Sequence, residues 1–288
     1  MSELSGTKRP LRLGVSLPSY RSVAELLHHA RRAEEIGIDV LLLPDHLGHT
    51  APLPPLVAVA QAAPSLRVSN LVINAGFYRP ALLARDLATV DALTGGRLEI
   101  GLGAGYAEEE FVTAGVPFPS AGERVRLLAE HVTTIRALLS DPGFAPGLVQ
   151  TPPPILVAGA GDQLLATAAR HADIVSILSM GTEADLAERV AYVKEQAGDR
   201  IDRIELAFGF FQVSMDDADD LSMVRHLAPD ATDASLRKLA TLLDGPVEAA
   251  AERVRRFHEE LGIGYVTLTK TDGTSWETFG KLVAAIRD

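Results

Sequence analysis

The sequence contains no cysteine, which excludes both a disulfide framework and thiol chemistry. It also contains no apolar run near the roughly 20 residues that a membrane-spanning helix needs. The first ten residues, MSELSGTKRP, have no apolar core and do not resemble a signal peptide. We therefore expect a soluble, cytoplasmic protein without a membrane partner, in which residues 1–10 form a disordered tail.

Positive charge is scarce, because 38 acidic residues outnumber 27 Lys and Arg and give a formal net charge of −11. This balance argues against a nucleic-acid partner or an anionic membrane surface. Hydrophobic residues, by contrast, make up 47% of the 288 positions, enough for a large core. The chain is longer than a typical domain, but α/β barrels commonly reach this length as one domain.

Residues 66–106 carry the clearest pattern in the chain. They begin with an alternating, Val- and Ile-rich stretch that is typical of a buried strand. Pro80 can open a helix at its first turn, leucines then recur at helical spacing, and Gly95-Gly96 ends the helix. A second strand follows at residues 97–101. Strand, helix and strand in about 40 residues predict a βαβ unit with parallel strands and a right-handed crossover.

Eight strands alternating with helices are predicted along the whole chain, at residues 11–17, 39–43, 66–76, 97–101, 155–158, 173–177, 204–213 and 264–269. This alternation predicts an α/β fold, a (β/α)8 TIM barrel formed as a single domain by residues 1–288. A doubly wound open sheet is the alternative. We expect loop insertions at the C-terminal face, of which residues 214–245, acidic and then helical without a strand, follow strand seven. This insertion is either a lid or entrance wall of the active site, or a solvated helical insertion without a functional role.

Small residues follow two of the predicted strands, where the active sites of barrels lie. Glycine lets the backbone approach a ligand closely and can aim N–H groups at an anion such as phosphate. The alternative is that these residues only make a tight strand exit. The two segments are Gly101, Gly103, Ala104 and Gly105 after strand four, and Ala158, Gly159, Ala160 and Gly161 after strand five.

His46 is the only histidine that directly follows a predicted strand, which makes it a candidate for proton exchange near neutral pH. The alternative is an ordinary loop histidine. His131 and three other histidines lie within helical patterns and are expected at the surface. A metal site built on Asp45, His46 and His49 fits poorly, and we predict no metal. A nucleophile elbow is absent, whereas two-carboxylate hydrolysis stays open.

Three stretches together resemble the luciferase-like monooxygenase superfamily, and a late segment, GPVEAAAERV…LGIGYVTL, extends the resemblance over nearly the whole chain. Within that superfamily they are similar to the deazaflavin-dependent oxidoreductases, which use coenzyme F-420. The three stretches are LLLPDHL, NLVINAGFYRPALLARDLATVDALTGGRLEIGLGAGY and PPILVAGAGDQLLATAARHADIV.

The resemblance implies an oxidoreductase that transfers hydride between coenzyme F-420 and a small organic substrate. It places Asp45 and His46 beside the cofactor ring, with His46 as the catalytic proton-transfer residue. It also implies a non-prolyl cis peptide bond between Leu71 and Val72 behind the ring, with Asn74 on the rim. The two glycine-rich segments, with Tyr106 at the end of the first, are implied to bind the cofactor's phosphate and tail.

Two positions depart from the family's pattern. Tyr106 stands where relatives that oxidise a sugar phosphate have Glu, so their substrate is not carried over. Asp162 stands where many relatives have Arg, which places a negative charge beside a polyanionic tail. The alternatives are an FMN-dependent two-component monooxygenase of the same fold and a non-catalytic barrel that binds a ligand. Dimers are common among such relatives, so a homodimer is an expectation.

Overall fold

The computed structural model describes residues 10–150 and 152–288. The tail predicted for residues 1–10 lies outside the described residues, except for Pro10. No helix in the described part of the chain is both long and apolar enough to cross a membrane.

Eight parallel strands close into a barrel. They follow the order β3-β2-β1-β11-β8-β7-β6-β5, and a further pairing of β3 with β5 closes the ring. The strands are β1 Arg12–Ser16, β2 Val40–Leu43, β3 Arg67–Asn70, β4 Ile73–Asn74, β5 Leu98–Gly103, β6 Ile155–Gly159, β7 Ile174–Ile177, β8 Glu205–Phe210, β9 Gln212–Ser214, β10 Leu242–Asp244 and β11 Ile263–Thr269. The predicted (β/α)8 barrel is confirmed.

Helices surround the barrel and bury one apolar stripe each against the outward-facing side chains of the strands. The helix predicted from Pro80 is confirmed, and Gly95 and Gly96 take the positive φ values that end it. The helices are α1 Val23–Glu35, α2 Pro54–Ala62, α3 Pro80–Leu93, α4 Glu108–Ala114, α5 Ala121–Leu139, α6 Asp162–His171, α7 Glu183–Ala197, α8 Ser222–Leu227, α9 Asp233–Leu236, α10 Val247–Arg256 and α11 Trp276–Arg287.

Charged side chains close the N-terminal end of the barrel. The Arg12 guanidinium donates to Glu99 at 2.6 Å and to Glu205 at 2.8 Å, and Arg67 donates to the same Glu99 at 2.7 Å. The Arg12 guanidinium also lies 4.4 Å from the centre of the buried Tyr265 ring. These ion pairs tie β1, β3, β5 and β8 together at the N-terminal end, whereas the active sites of such barrels lie at the C-terminal ends of the strands.

The third and fourth strands differ from their predicted extents. The predicted strand at residues 66–76 is two pieces, β3 and β4, and a cis peptide bond between Leu71 and Val72 lies between them. β5 runs on to Gly103, so Gly101 and Gly103 are strand residues rather than loop residues. The predicted strand exit was therefore placed too early, because an apolar residue that alternates with glycines continues the strand.

The insertion after β8 contains a strand, so the prediction of a strand-free insertion was wrong. β10 pairs in parallel with β9, and α8 and α9 pack over a small apolar cluster between them. The Thr241 hydroxyl donates to the Gly209 carbonyl at 2.7 Å, and the Ala240 N–H donates to the Gly181 carbonyl at 2.8 Å. These bonds fix the insertion to the C-terminal face. A three-residue strand is too short to reveal a period in the sequence.

Candidate functional site

His46 lies just beyond the end of β2 and has a carboxylate partner. Its Nδ1 is 2.6 Å from Oε1 of Glu110 on α4, and the two side chains are 35% and 16% exposed. An ionised carboxylate only accepts hydrogen bonds, so Nδ1 carries the proton, and Nε2 is the ring nitrogen that can exchange one. The Tyr106 ring stands edge-on to the imidazole, 5.8 Å between centres. Glu110 thus fixes both the orientation and the tautomer of His46.

Asp45, which precedes His46, is buried and only 7% exposed. Its Oδ2 accepts a hydrogen bond from the Asn74 N–H at 3.0 Å, which ties the end of β2 to β4. Burial raises the pKa of Asp45, and hydrogen bonds from the Asn74 N–H and the Tyr78 hydroxyl partly oppose that rise. Burial and the Asp45 carboxylate together raise the pKa of the Tyr78 phenol. Asp45 therefore positions the backbone beside His46.

The expected cis peptide bond between Leu71 and Val72 is present. Val72 lies against β5, where a β-carbon on Gly103 would overlap the Val72 side chain. A β-carbon on Gly101 would likewise overlap the carbonyl oxygen of Asn70. These two glycines are required by the close approach of the chain to itself, so they do not by themselves indicate a ligand.

Asn74 lies at the end of β4, against Gly105. Its Oδ1 accepts a hydrogen bond from the Gly76 N–H at 3.0 Å, and its amide group lies against Gly105. Gly105 has a φ of +73°, and a β-carbon there would meet the Asn74 amide. Ala104 lies between Gly103 and Gly105 and is half-buried. We call the surface formed by residues 71–74 and 103–105 the bulge face.

The second small-residue segment lies next to the bulge face, because β6 pairs in parallel with β5. Ala158 and Gly159 end β6 in a buried position, and a β-carbon on Gly159 would overlap Leu164. Ala160 and Gly161 are exposed, and a β-carbon on Gly161 would meet no protein atom. Gly161 caps α6 without a side-chain hydrogen bond, which leaves the first N–H groups of that helix open to an anion.

Asp162, the acidic departure at the start of α6, has a basic partner. Its carboxylate is paired with the Arg189 guanidinium, and the Tyr192 hydroxyl donates to its carbonyl oxygen at 3.3 Å. The guanidinium of Arg189 lies 5.4 Å from the centre of the Tyr192 ring. The negative charge predicted to oppose a polyanion is thus compensated beside the helix N-terminus, by a residue two turns into α7.

A cavity of about 410 Å³ opens at the C-terminal ends of β1 and β2. One wall is His49, whose ring centre is 6.2 Å from that of His46. The lining residues are Pro18, Ser19, Tyr20, Leu43, Pro44, Gly48, His49, Thr50 and Ala51. Within residues 10–150 and 152–288, no group of three or more His, Asp or Glu side chains is arranged to hold a metal ion.

Sequence reasoning missed Glu110 and Tyr78, and it misplaced His131. Glu110 belongs to the run Glu108-Glu109-Glu110 on a helix of seven residues, and such a run also suits a helix N-terminus on charge alone. His131 is buried, with its ring nitrogens 2.9 Å from the carbonyl oxygens of Leu127 and Tyr78, so its predicted surface position was wrong. Each of these carbonyl oxygens is an acceptor, so the N–H of the buried imidazole has a partner on whichever nitrogen carries it.

Comparison with known proteins gives one family. The model of that family, described as luciferase-like monooxygenase, matches residues 6–258. A curated F420-dependent glucose-6-phosphate dehydrogenase of Kribbella flavida is 31% identical over 196 residues, which cover 60% of this chain and 59% of that protein. For a second such dehydrogenase, from Amycolatopsis mediterranei, the match covers only 37% of its length. The chain thus matches about half the length of these curated relatives.

Solved structures share the fold over nearly the whole chain. An F420-dependent secondary alcohol dehydrogenase in complex with an F420-acetone adduct superposes with a TM-score of 0.80 at 20% identity, covering 97% of this chain and all of that one. The oxygenating constituent of 3,6-diketocamphane monooxygenase from Pseudomonas putida, in complex with FMN, gives a TM-score of 0.74 at 15% identity, with 96% and 97% covered.

Proposed function

This chain belongs to the luciferase-like monooxygenase family, and from that premise we propose that it is an oxidoreductase that transfers hydride between coenzyme F-420 and a small organic substrate. The observation that carries the proposal is the His46–Glu110 pair, 2.6 Å apart, at the edge of the bulge face. Relatives named F420-dependent dehydrogenases, at about a third identity, support the choice of cofactor.

The residues at the barrel mouth fit a flat ring with an anionic tail. The Val72 and Asn74 side chains cover Gly103 and Gly105, so these side chains, and not the glycine backbone, form the surface that a planar ring would meet. The open N–H groups at the start of α6 suit a phosphate, and the Arg189 guanidinium beside them offsets the negative charge of Asp162. When bound there, the deazaflavin supplies a ring carbon that gives or receives hydride.

The protein's own contribution is proton transfer and orientation. His46 Nε2 takes the hydroxyl proton from an alcohol being oxidised, or returns one to a carbonyl being reduced. Glu110 holds the ring in position and stabilises the imidazolium that forms. Asp45 acts one step further away, because its hydrogen bond to the Asn74 N–H fixes β4 relative to the end of β2.

The bulge face and the start of α6 also suit FMN, so a two-component monooxygenase is the second candidate function. The fold likeness to a monooxygenase solved with FMN supports it, whereas the curated relatives with the higher sequence identity support the deazaflavin. We further propose that the enzyme works in the cytoplasm as a homodimer, and that residues 214–245 form one wall of the entrance. The hydrogen bonds of Thr241 to Gly209 in β8 and of Ala240 to Gly181 in the loop after β7 support that position.

Parallel titrations with coenzyme F-420 and FMN, followed by fluorescence, test the proposal. We expect coenzyme F-420 to bind at least tenfold more tightly than FMN. Preferential binding of FMN would favour the monooxygenase, and failure to bind either would favour a barrel that holds some other ligand.

A further inference from the structure

The cavity between the ends of β1 and β2 contains no lysine or arginine among its nine lining residues. Its polar groups are uncharged hydroxyls and one imidazole. The Tyr20 and Thr50 hydroxyls are hydrogen-bonded to each other, and Ser19 and His49 are exposed beside them. Leu43, Pro44 and Ala51 supply an apolar share of the wall. Such a lining can bind hydroxyl and carbonyl oxygens but has no fixed cation for a phosphate or carboxylate.

Charged residues flank this cavity without lining it. Glu110 lies against His46, and Glu109 is exposed on the same short helix. Arg21 follows the lining residue Tyr20, and its guanidinium is already bound to the Glu25 carboxylate through Nε and Nη2. Lys270 is joined to the end of β1 by its backbone N–H, which donates to the Ser16 carbonyl, and its ammonium group donates to the Thr271 carbonyl. An anion that entered the cavity would lose water without gaining a cation among the lining residues.

We infer that this cavity is the substrate subsite and that it takes an uncharged alcohol or carbonyl compound, excluding phosphorylated and carboxylated molecules. The inference rests on the proposed function. In the oxidative direction the alcohol carbon loses a hydride to the oxidised deazaflavin, and the hydroxyl proton passes to His46. The carbonyl product then leaves, and the reverse reaction returns both. The glucose-6-phosphate dehydrogenases among the relatives therefore differ from this chain in the substrate that they accept.

Matched pairs that differ only in charge test this inference with the full-length protein. The pairs are glucose with glucose 6-phosphate, glycerol with glycerol 3-phosphate, and cyclohexanone with 4-oxocyclohexanecarboxylate. We expect kcat/KM to favour the neutral member of each accepted pair at least tenfold. Ala51→Lys, which adds a cation to the cavity wall, is expected to reduce that preference at least tenfold, mainly by lowering KM for the anion.

Ala249→Lys is the matched control, because Ala249 is exposed on α10 and adds the same charge outside the cavity. A preference for the anionic members, or equal responses to the two lysine variants, would overturn the inference. So would a protein that binds coenzyme F-420 but neither member of any pair. Coenzyme F-420 binding to the unmodified protein is measured first by fluorescence. If the protein does not bind coenzyme F-420, that result refutes the proposed function instead.

Discussion

Removing the carboxylate that holds His46 is the perturbation whose effect can be worked out most directly from the structure. The Nδ1–Oε1 distance of 2.6 Å, with side chains 35% and 16% exposed, marks a charge-assisted hydrogen bond that solvent only partly screens. Hydrogen bonds to charged groups contribute about 1.5–3 kcal/mol. Because solvent reaches this pair, we take the lower end, about 1.5 kcal/mol, which corresponds to roughly a tenfold change in rate.

Glu110→Gln is therefore expected to lower kcat about tenfold, since the amide keeps the shape but loses the charge. Glu110→Ala is expected to lower it further, because the imidazole also loses its fixed tautomer. His46→Ala removes the proton-transfer group and is expected to cost roughly 10²–10⁴ in kcat. The dissociation constant of coenzyme F-420 should change little in all three variants. The assay is steady-state turnover with the best neutral substrate, together with cofactor titration of each variant.

Glu109→Gln is the matched control, because Glu109 is the exposed neighbour on the same helix. A double variant lacking both His46 and Glu110 should be no slower than His46→Ala alone, since Glu110 acts only through the ring. Equal kcat values for the Glu109 and Glu110 variants would refute the reasoning. Additive losses in the double variant would show instead that Glu110 acts on the substrate independently of His46.

Three further predictions concern cofactor binding and stability. Gly161→Ala should leave the stability of the fold unchanged, because its β-carbon meets open space, yet raise the coenzyme F-420 dissociation constant roughly tenfold, about 1.4 kcal/mol. Gly101→Ala should destabilise the fold in denaturant titrations, because its β-carbon would overlap the Asn70 backbone. Equal stability of the two variants would contradict this prediction. Arg189→Ala should weaken coenzyme F-420 binding, most strongly at low salt, whereas Arg189→Lys should retain it; an unchanged dissociation constant would remove Arg189 from the site. Burial raises the pKa of Asp45 above its value in the unfolded chain, so ionising Asp45 in the folded protein costs free energy at neutral pH. Asp45→Asn should therefore raise Tm at about pH 7, by an amount that shrinks as the pH falls towards about 4. A Tm difference that does not depend on pH would contradict the raised pKa of Asp45.

The barrel itself was predictable because its signals are repeated and local. The Pro80 start of α3, the Gly95-Gly96 end and the apolar strands each follow from chemistry within a few residues. The position of His46 was predictable in the same way, since a polar residue directly after a buried strand lies at the mouth of a barrel. The cis bond between Leu71 and Val72 was expected only from the family resemblance, because two apolar residues in a strand carry no local signal for it.

The partners of the site residues were not predictable, because they depend on contacts between distant segments. Glu110 reaches His46 across 64 positions, and nothing in an acidic run distinguishes that carboxylate from its exposed neighbours. Arg189 compensates Asp162 from the next helix, which the sequence alone presents as an uncompensated charge. For the glycines of β5, the sequence predicted a function that the fold does not require. They suggest a ligand loop in the sequence, whereas the fold needs Gly101 and Gly103 to pass its own chain.

Isotope transfer is the measurement that tests the central claim most directly. The protein is incubated with oxidised coenzyme F-420 and a neutral alcohol deuterated at the carbinol carbon, and the reduced cofactor is examined by mass spectrometry. We predict one deuteron on the cofactor per alcohol oxidised, because hydrogen bound to the deazaflavin ring carbon does not exchange with water. We also predict that no oxygen is consumed. Turnover that consumes oxygen and leaves no deuterium on the cofactor would contradict the account and indicate a monooxygenase.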